Sequence, residues 1–316
     1  MRSLSFLRVF LAIFVLSLVA APAGAGGGGP FPPRAGQPGS TAVALDDPRI
    51  VAWAERMVSV EWGEDLSEEW MAPERALGPA SGNVMDVVSL GRGGRITYET
   101  ALPVIDRAGP DFAVFGNAHN DYFLELAFVE VSSDGENFVR FPTTSLTKDP
   151  VPAFGSVDPT MVDGFAGKFR VGYAVPFDLA DLRGEPGAEY LDFNDVRYIR
   201  LVDVVGGEDA RFTSLPQSRD SEGRLVYDPF PTIASAGFDL DGIAVFHSEL
   251  RAEPVPGGIT LRWRTQPGAS TRILRSTNLR EWSVHETLAP ANTAEQVWTV
   301  SFGEEARVFF GVAAEW

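Results

Sequence analysis

Residues 129–141 read VEVSSDGENFVRF. Val129 and Val131 alternate with Glu130, and Val139 and Phe141 alternate with Arg140, which is the two-residue period of a half-buried strand. Asp134-Gly135 lies between the two runs, and a two-residue type I′ turn wants residues that tolerate positive φ. The stretch predicts a β-hairpin in which Val131 faces Phe138 and Phe128 faces Phe141. Antiparallel β-structure is therefore the starting hypothesis for the chain.

Working outward, the same grammar recurs. DVVSLGRGGRITYE (86–99), DFAVFGNA (111–118), FLELAFVEVSS (123–133), VRYIRLVDVVG (196–206) and FDLDGIAVFHS (238–248) are short, β-rich runs. The loops between them are rich in Gly, Pro, Asp and Ser, and many short strands joined in this way predict a sandwich or barrel. Two connections, 142–190 and 206–235, are long enough to suggest a functional role. GRGG at 91–94 reads as a turn and lacks the following helix that a phosphate loop needs. One short N-terminal helix is expected over DDPRIVAWAERMVS (46–59). There Asp47 can cap, Pro48 can take the first helical position, and Ile50, Trp53, Ala54, Met57 and Val58 recur at helical spacing.

The ends of the 316-residue chain have different compositions. Residues 1–25 carry Arg2 and Arg8, then a short apolar stretch, then Ala23-Gly24-Ala25, the pattern of a secretory signal peptide. Residues 26–40, GGGGPFPPRAGQPGS, predict a flexible linker. A large β domain is expected over 41–249, a Pro/Gly linker over 250–258, and a small C-terminal β domain over 259–316.

Composition narrows the function. The chain has 43 acidic and 26 basic residues, a net charge of −17, and no cysteine. Phosphate recognition needs basic clusters, so nucleic acid and anionic lipid are poor partners. After signal removal no stretch predicts membrane insertion. Export without disulfides leaves packing and bound ions to stabilise the fold. Calcium, which takes carboxylate and carbonyl oxygens, fits that composition as a structural ion. Its candidate ligands are Asp111 and Asn117 at the two ends of FAVF, and Asp239 and Asp241, two apart in FDLD. Glu125 and Asp228 are further oxygen ligands. No G-x-S-x-G, thiol or paired-histidine pattern is present, and His119, His247 and His285 are scattered.

ERALGPASG, DVVSLGRGGRITYE, GPDFAVFGNA, FLELAFVEVSSDGENFVRFP, VRYIRLVDVVG and YDPFPTIASAGFDLDGIAV follow one another in that order. Over residues 48–247 this series resembles a group of exported bacterial cell-surface proteins and the wider discoidin or galactose-binding-like jelly rolls. STNLREW and the closing residues Phe309, Phe310 and Val312 resemble a small fibronectin-like module of exported bacterial proteins. The resemblance implies an antiparallel jelly-roll β-sandwich followed by a smaller β-sandwich, secreted or held at the cell surface. It also implies a role in binding carbohydrate or another surface polymer, with no catalytic residues to carry over. The ligand loops are then expected around His119, Asn120 and Tyr122, and around Tyr227 and Phe230. A non-enzymatic binding protein is the leading expectation. An extracellular glycan-degrading enzyme and a structural adhesion or envelope protein are the alternatives.

Overall fold

The computed structural model describes residues 28–247, 250–265, 268–278, 280–290, 292–293, 295–301 and 308–315. The expected signal segment lies outside them. Strands of the larger unit are β1 (Val43–Ala44), β2 (Ala52–Glu61), β3 (Val88–Ser89), β4 (Arg95–Val104), β5 (Phe112–Gly116), β6 (Ala127–Ser132), β7 (Val139–Arg140), β8 (Thr144–Ser145), β9 (Val162–Asp163), β10 (Tyr173–Phe177), β11 (Val196–Asp203) and β12 (Asp239–Val245). The C-terminal unit holds β13 (Leu250–Val255), β14 (Gly258–Arg264), β15 (Ser270–Ser276), β16 (Ser283–Leu288), β17 (Glu295–Ser301) and β18 (Phe309–Glu315).

One curled antiparallel sheet runs in the order β1-β10-β5-β12-β2-β4-β11-β6-β7, with β3 pairing onto β12. Strand β2 is the corner. Its first residues pair with β12 (Ala244↔Trp53), and the rest pair with β4. Bulges between Ala54/Arg56 and Met57/Ser59 bend it through the change of partner. The two halves of the sheet then face each other, and Phe112 of β5, Phe177 of β10 and Phe141 after β7 meet between them. Their ring centroids lie 5.0 to 5.7 Å apart. Each buried ring of this size contributes about 2–3 kcal/mol through the apolar area it removes from water.

Strand β5 explains the unbroken apolar row of FAVF. Phe112 and Val114 enter the core between the layers. Ala113 and Phe115 enter a second cluster on the opposite face, with Val43, Ile50, Trp53 and Phe246. A strand covered on both faces has no polar side to alternate with. A third cluster, with Leu124, Leu126, Phe128, Val151, Val157, Phe165 and Val226, sits beneath the two long connections. Those connections therefore carry a core of their own.

Four expectations are corrected. The helix expected over 46–59 is largely strand β2. Each bulge moves the following residues to the other face, which turns a two-residue period into gaps of three and four. Asp47 does cap, but it caps a turn: its Oδ1 accepts the Arg49 amide at 2.9 Å. The short helical pieces of the N-terminal part are single 3-10 turns at Glu68–Trp70 and Pro73–Ala76.

The hairpin forms, but Val131 pairs with Val139 rather than Phe138. Ser132 Oγ accepts the Gly135 amide, and Asp134 Oδ1 accepts the amides of Glu136 and Asn137 at 2.8 Å each, which builds a loop longer than two residues. Residues 28–40 are docked instead of flexible: Phe31 donates its amide to Thr160 O at 3.1 Å, and Ala35 is buried. Residues 250–255, expected as linker, are strand β13, which pairs with β14 from Leu250↔Trp263 to Val255↔Gly258.

The C-terminal unit has two three-stranded sheets, β13-β14-β17 and β16-β15-β18. Its core is Ile259, Leu261, Trp263, Ile273 and Trp298. The smaller C-terminal sandwich follows the sequence pattern.

Candidate functional site

Strands β5 and β12 run antiparallel, with Leu240 opposite Gly116 and Val245 opposite Phe112. This separates the four candidate calcium ligands. Asp111 lies at the Val245 end, and Asn117 and Asp239 lie at the other, roughly 20 Å away at about 3.4 Å per strand residue. Asp111 Oδ1 accepts the Arg107 amide and Oδ2 accepts the Leu179 amide, both at 2.8 Å. Burial nevertheless raises its pKa to about 7. It comes within 4.8 Å of the carboxylates of Asp106 and Asp178, and Asp106 is engaged by Arg183.

At the other end, Asn117 and Asp239 do meet. Asn117 Nδ2 donates to Val84 O at 2.9 Å, and Asp239 receives Ser89 Oγ. A bulge between Leu240 and Gly242 turns Asp241 away from Asp239. Its oxygens accept the amides of Ser81 (2.8 Å) and Gly82 (2.9 Å). Asn117, Asp239 and Asp241 thus fasten the segment 81–89 to the sheet.

Asp239 also belongs to a different grouping. Glu125, Asp203 and Asp228 lie close enough to raise one another's pKa values. Asp203, at the end of β11, accepts the amides of Gly93 (2.8 Å) and Phe238 (2.7 Å). Asp228 Oδ2 accepts the Leu126 amide at 3.0 Å. Burial pushes Asp203 up to about 7, and burial with neighbouring carboxylates pushes Glu125 and Asp228 well above the usual carboxylate range. Low dielectric and mutual repulsion both favour the protonated form.

Arg92, from the GRGG turn, lies beside this group and is 3% exposed. Its charge acts on Asp203, lowering that pKa against the effect of burial, while its hydrogen bonds go elsewhere. Nη1 donates to Asp65 Oδ2 at 2.5 Å and to Phe212 O at 2.8 Å, and Nη2 donates to Thr232 O at 2.9 Å. It also lies 5.1 Å from the centroid of the Phe230 ring. One buried side chain therefore ties the 206–235 connection, at Phe212 and Thr232, to Asp65 in the segment after β2.

Phe230 is the wall between two spaces. On one side is a void of ≈ 10 Å³ lined by Arg92, Glu125, Asp203 and Asp228, at the lower limit for a single water. On the other is a groove of ≈ 460 Å³, lined among others by Tyr227, Phe230, Phe212, Gln217, Asp209 and Arg211. Two glycines make the wall possible. A Cβ on Gly206 would lie 1.9 Å from Asp228 Oδ1, and one on Gly207 would lie 2.4 Å from the Phe230 ring. Gln217 Nε2 donates to Gly206 O (3.1 Å) and Val226 O (2.9 Å), which fixes its amide on the groove wall. Arg211 is matched by Asp209, with Nε 3.0 Å from Oδ1.

Of the five residues expected to bind ligand, Tyr227 and Phe230 line this groove. His119, Asn120 and Tyr122 do not. Asn120 Oδ1 is occupied by the amides of Tyr122 and Phe123 at 2.8 and 2.9 Å, and Arg34 covers the Tyr122 ring at 5.7 Å. Arg92 and Gln217 were missed by sequence reasoning. An arginine set among three glycines was the available signal for Arg92, since its backbone can turn tightly enough to send the side chain inward.

No family model matches the chain, and no curated protein does. Among solved structures, a β-1,2-glucanase from Parabacteroides distasonis is similar, with 14% identity, a TM-score of 0.21, and coverage of 70% of this chain and 28% of that one. A β-glucuronidase from Ruminococcus gnavus shows 12% identity, a TM-score of 0.19, and coverage of 70% and 35%. The chain spans about a third of the length of these structures. Both are named as carbohydrate-cleaving enzymes, so the expectation of a non-enzymatic chain finds no support among them. At such TM-scores the likeness carries no argument for an activity or a substrate.

Proposed function

We propose that the chain binds carbohydrate in the groove between its two long connections. The observation that carries this reading is the ≈ 460 Å³ groove itself, where Tyr227, Phe230 and Phe212 stand beside Gln217 and the Asp209–Arg211 pair. That volume is in the range of small-molecule sites, and rings beside hydrogen-bonding groups match the alternating apolar faces and hydroxyl edges of a pyranose. The scaffold is pre-organised, because Arg92 fixes the 206–235 rim at Phe212 and Thr232 and the glycine pair seats Phe230. Little ordering cost then remains at binding.

Titration calorimetry against a panel of neutral oligosaccharides tests the reading. At least one should bind, and Tyr227→Ala should weaken it tenfold or more while the fold is kept. A panel in which nothing binds sinks the proposal. The same panel, assayed for released reducing ends, separates binding from cleavage.

A further inference from the structure

A second cavity, of ≈ 400 Å³, opens at the end of β4 opposite the GRGG turn. Its back wall is apolar, from Leu102 to Ile105, and its polar lining is Arg107, Asn194, Asp195, Arg197 and Arg264. These come from three parts of the chain: the connection after β4, the start of β11, and the end of β14 in the C-terminal unit. Asp195 is the single acid among the lining residues, and it is taken by Arg197 at 2.7 Å. Arg107 donates Nη1 to the backbone oxygen of Asp106 at 3.1 Å. Neither Arg107 nor Arg264 forms an ion pair with a carboxylate among the described residues.

This is the reverse of the chain's general balance. With 43 acidic residues against 26 basic ones, an arginine at the surface ordinarily finds a carboxylate. Arg34, Arg49, Arg56, Arg95, Arg140 and Arg183 all do.

We propose that this cavity is a binding site for a small oxyanion, a molecule bearing a carboxylate, sulfate or phosphate group. Guanidinium forks match planar and tetrahedral oxyanions through paired N–H donors, the Asn194 amide adds another donor, and the apolar wall accommodates the uncharged body of the ligand. The volume suits a molecule of about one or two sugar rings. Because Arg264 belongs to the C-terminal unit, a bound anion joins the two units of the chain. The site is separate from the carbohydrate groove and does not depend on it.

The test is calorimetry on the full chain with sodium glucuronate, glucose, sulfate and phosphate, each at matched ionic strength. Glucuronate, sulfate or phosphate should bind one-to-one with an affinity that falls as sodium chloride rises, and glucose should not bind there. The three anions report whether the charge must be carried on a sugar or suffices alone. Arg107→Ala and Arg264→Ala should each weaken binding at least tenfold. Arg95→Ala, at the opposite end of β4 and paired with Glu61, should leave it within twofold. Circular dichroism checks the fold, and Arg264→Glu is the second variant should an alanine variant be unstable. Absence of binding by all three anions at 10 mM, roughly the weak limit of useful affinity, overturns the proposal. So does binding that persists in the Arg107→Ala/Arg264→Ala double variant.

Discussion

At the scale of single residues, buried charge is organised around the protein's own backbone. Arg92 is itself buried and donates to the carbonyl oxygens of Phe212 and Thr232 and to Asp65, and losing a buried charged donor set of this kind costs about 1.5–3 kcal/mol. Arg92→Met should therefore lower unfolding free energy by about 3 kcal/mol, read from urea denaturation. Lysine should restore little, because one ammonium cannot replace a planar fork reaching Asp65, Phe212 O and Thr232 O. Asp203 makes a prediction in pH. Its folded pKa of about 7 lies above the unfolded value near 3.9. The folded state thus binds the proton more tightly. The stability this contributes is fully present below the unfolded value and is lost as pH rises from about 4 to 7. Asp203→Asn should remove about one proton's worth of that slope, ~1.4 kcal/mol per pH unit. Melting curves at pH 4, 5.5 and 7 read the difference, and an unchanged slope would refute the assignment. Little of this was legible in the sequence. Asp203 looks like an ordinary strand-end acid; Glu125, Asp228 and Asp239 stand out as oxygen ligands one by one, and only the convergence of β6, β11 and β12 gives the four a shared environment.

At the scale of elements, local chemistry was legible and long-range docking was not. The Asp134 turn and the β15–β16 turn show why. Asn278 Oδ1 accepts the amides of Arg280 and Glu281 at 2.9 Å each, and its own amide donates to Ser276 Oγ at 3.2 Å. Asp134 does the same with Glu136, Asn137 and Ser132. The likeness between VEVSSDGENFV and LRSTNLREWSV is thus one hydrogen-bonding scheme used twice, which a few adjacent residues suffice to encode. The lead-in at 28–40 is the contrary case. Its Gly/Pro content predicts disorder, but what decides its state is a partner more than a hundred residues away. Gly29 donates to Thr160 Oγ1 at 2.5 Å, and a Cβ there would lie 2.1 Å from Thr160 O. Gly29→Val should lift the strap from Thr160, leaving Arg34–Asp121 and Arg170–Ala35 O as ties further along it. Limited trypsin digestion should then cut at Arg34 at least tenfold faster than in the parent chain. Equal cleavage rates would show that the strap does not depend on this contact.

At the scale of the molecule, the described core is not continuous. The sandwich carries three clusters that share strands β5 and β6 and the long connections, whereas Trp263, Ile273 and Trp298 form a cluster within the C-terminal unit alone. Cooperativity follows shared packing, so groups that exchange no buried side chains unfold with separate free energies. Scanning calorimetry should resolve two transitions. Phe112→Ala removes a ring from the Phe112–Phe141–Phe177 contact between the layers, a change worth about 3–5 kcal/mol. It should lower the transition of the sandwich by several degrees and leave the other in place. Trp263→Ala should do the converse. An oxyanion held by Arg107 and Arg264 would tie the two together, since a ligand that touches both folded units stabilises each only while the other is intact. Saturating anion should therefore raise the lower transition toward the upper one, and Arg264→Ala should abolish that shift. A single transition that both substitutions lower equally would show that the two units fold as one.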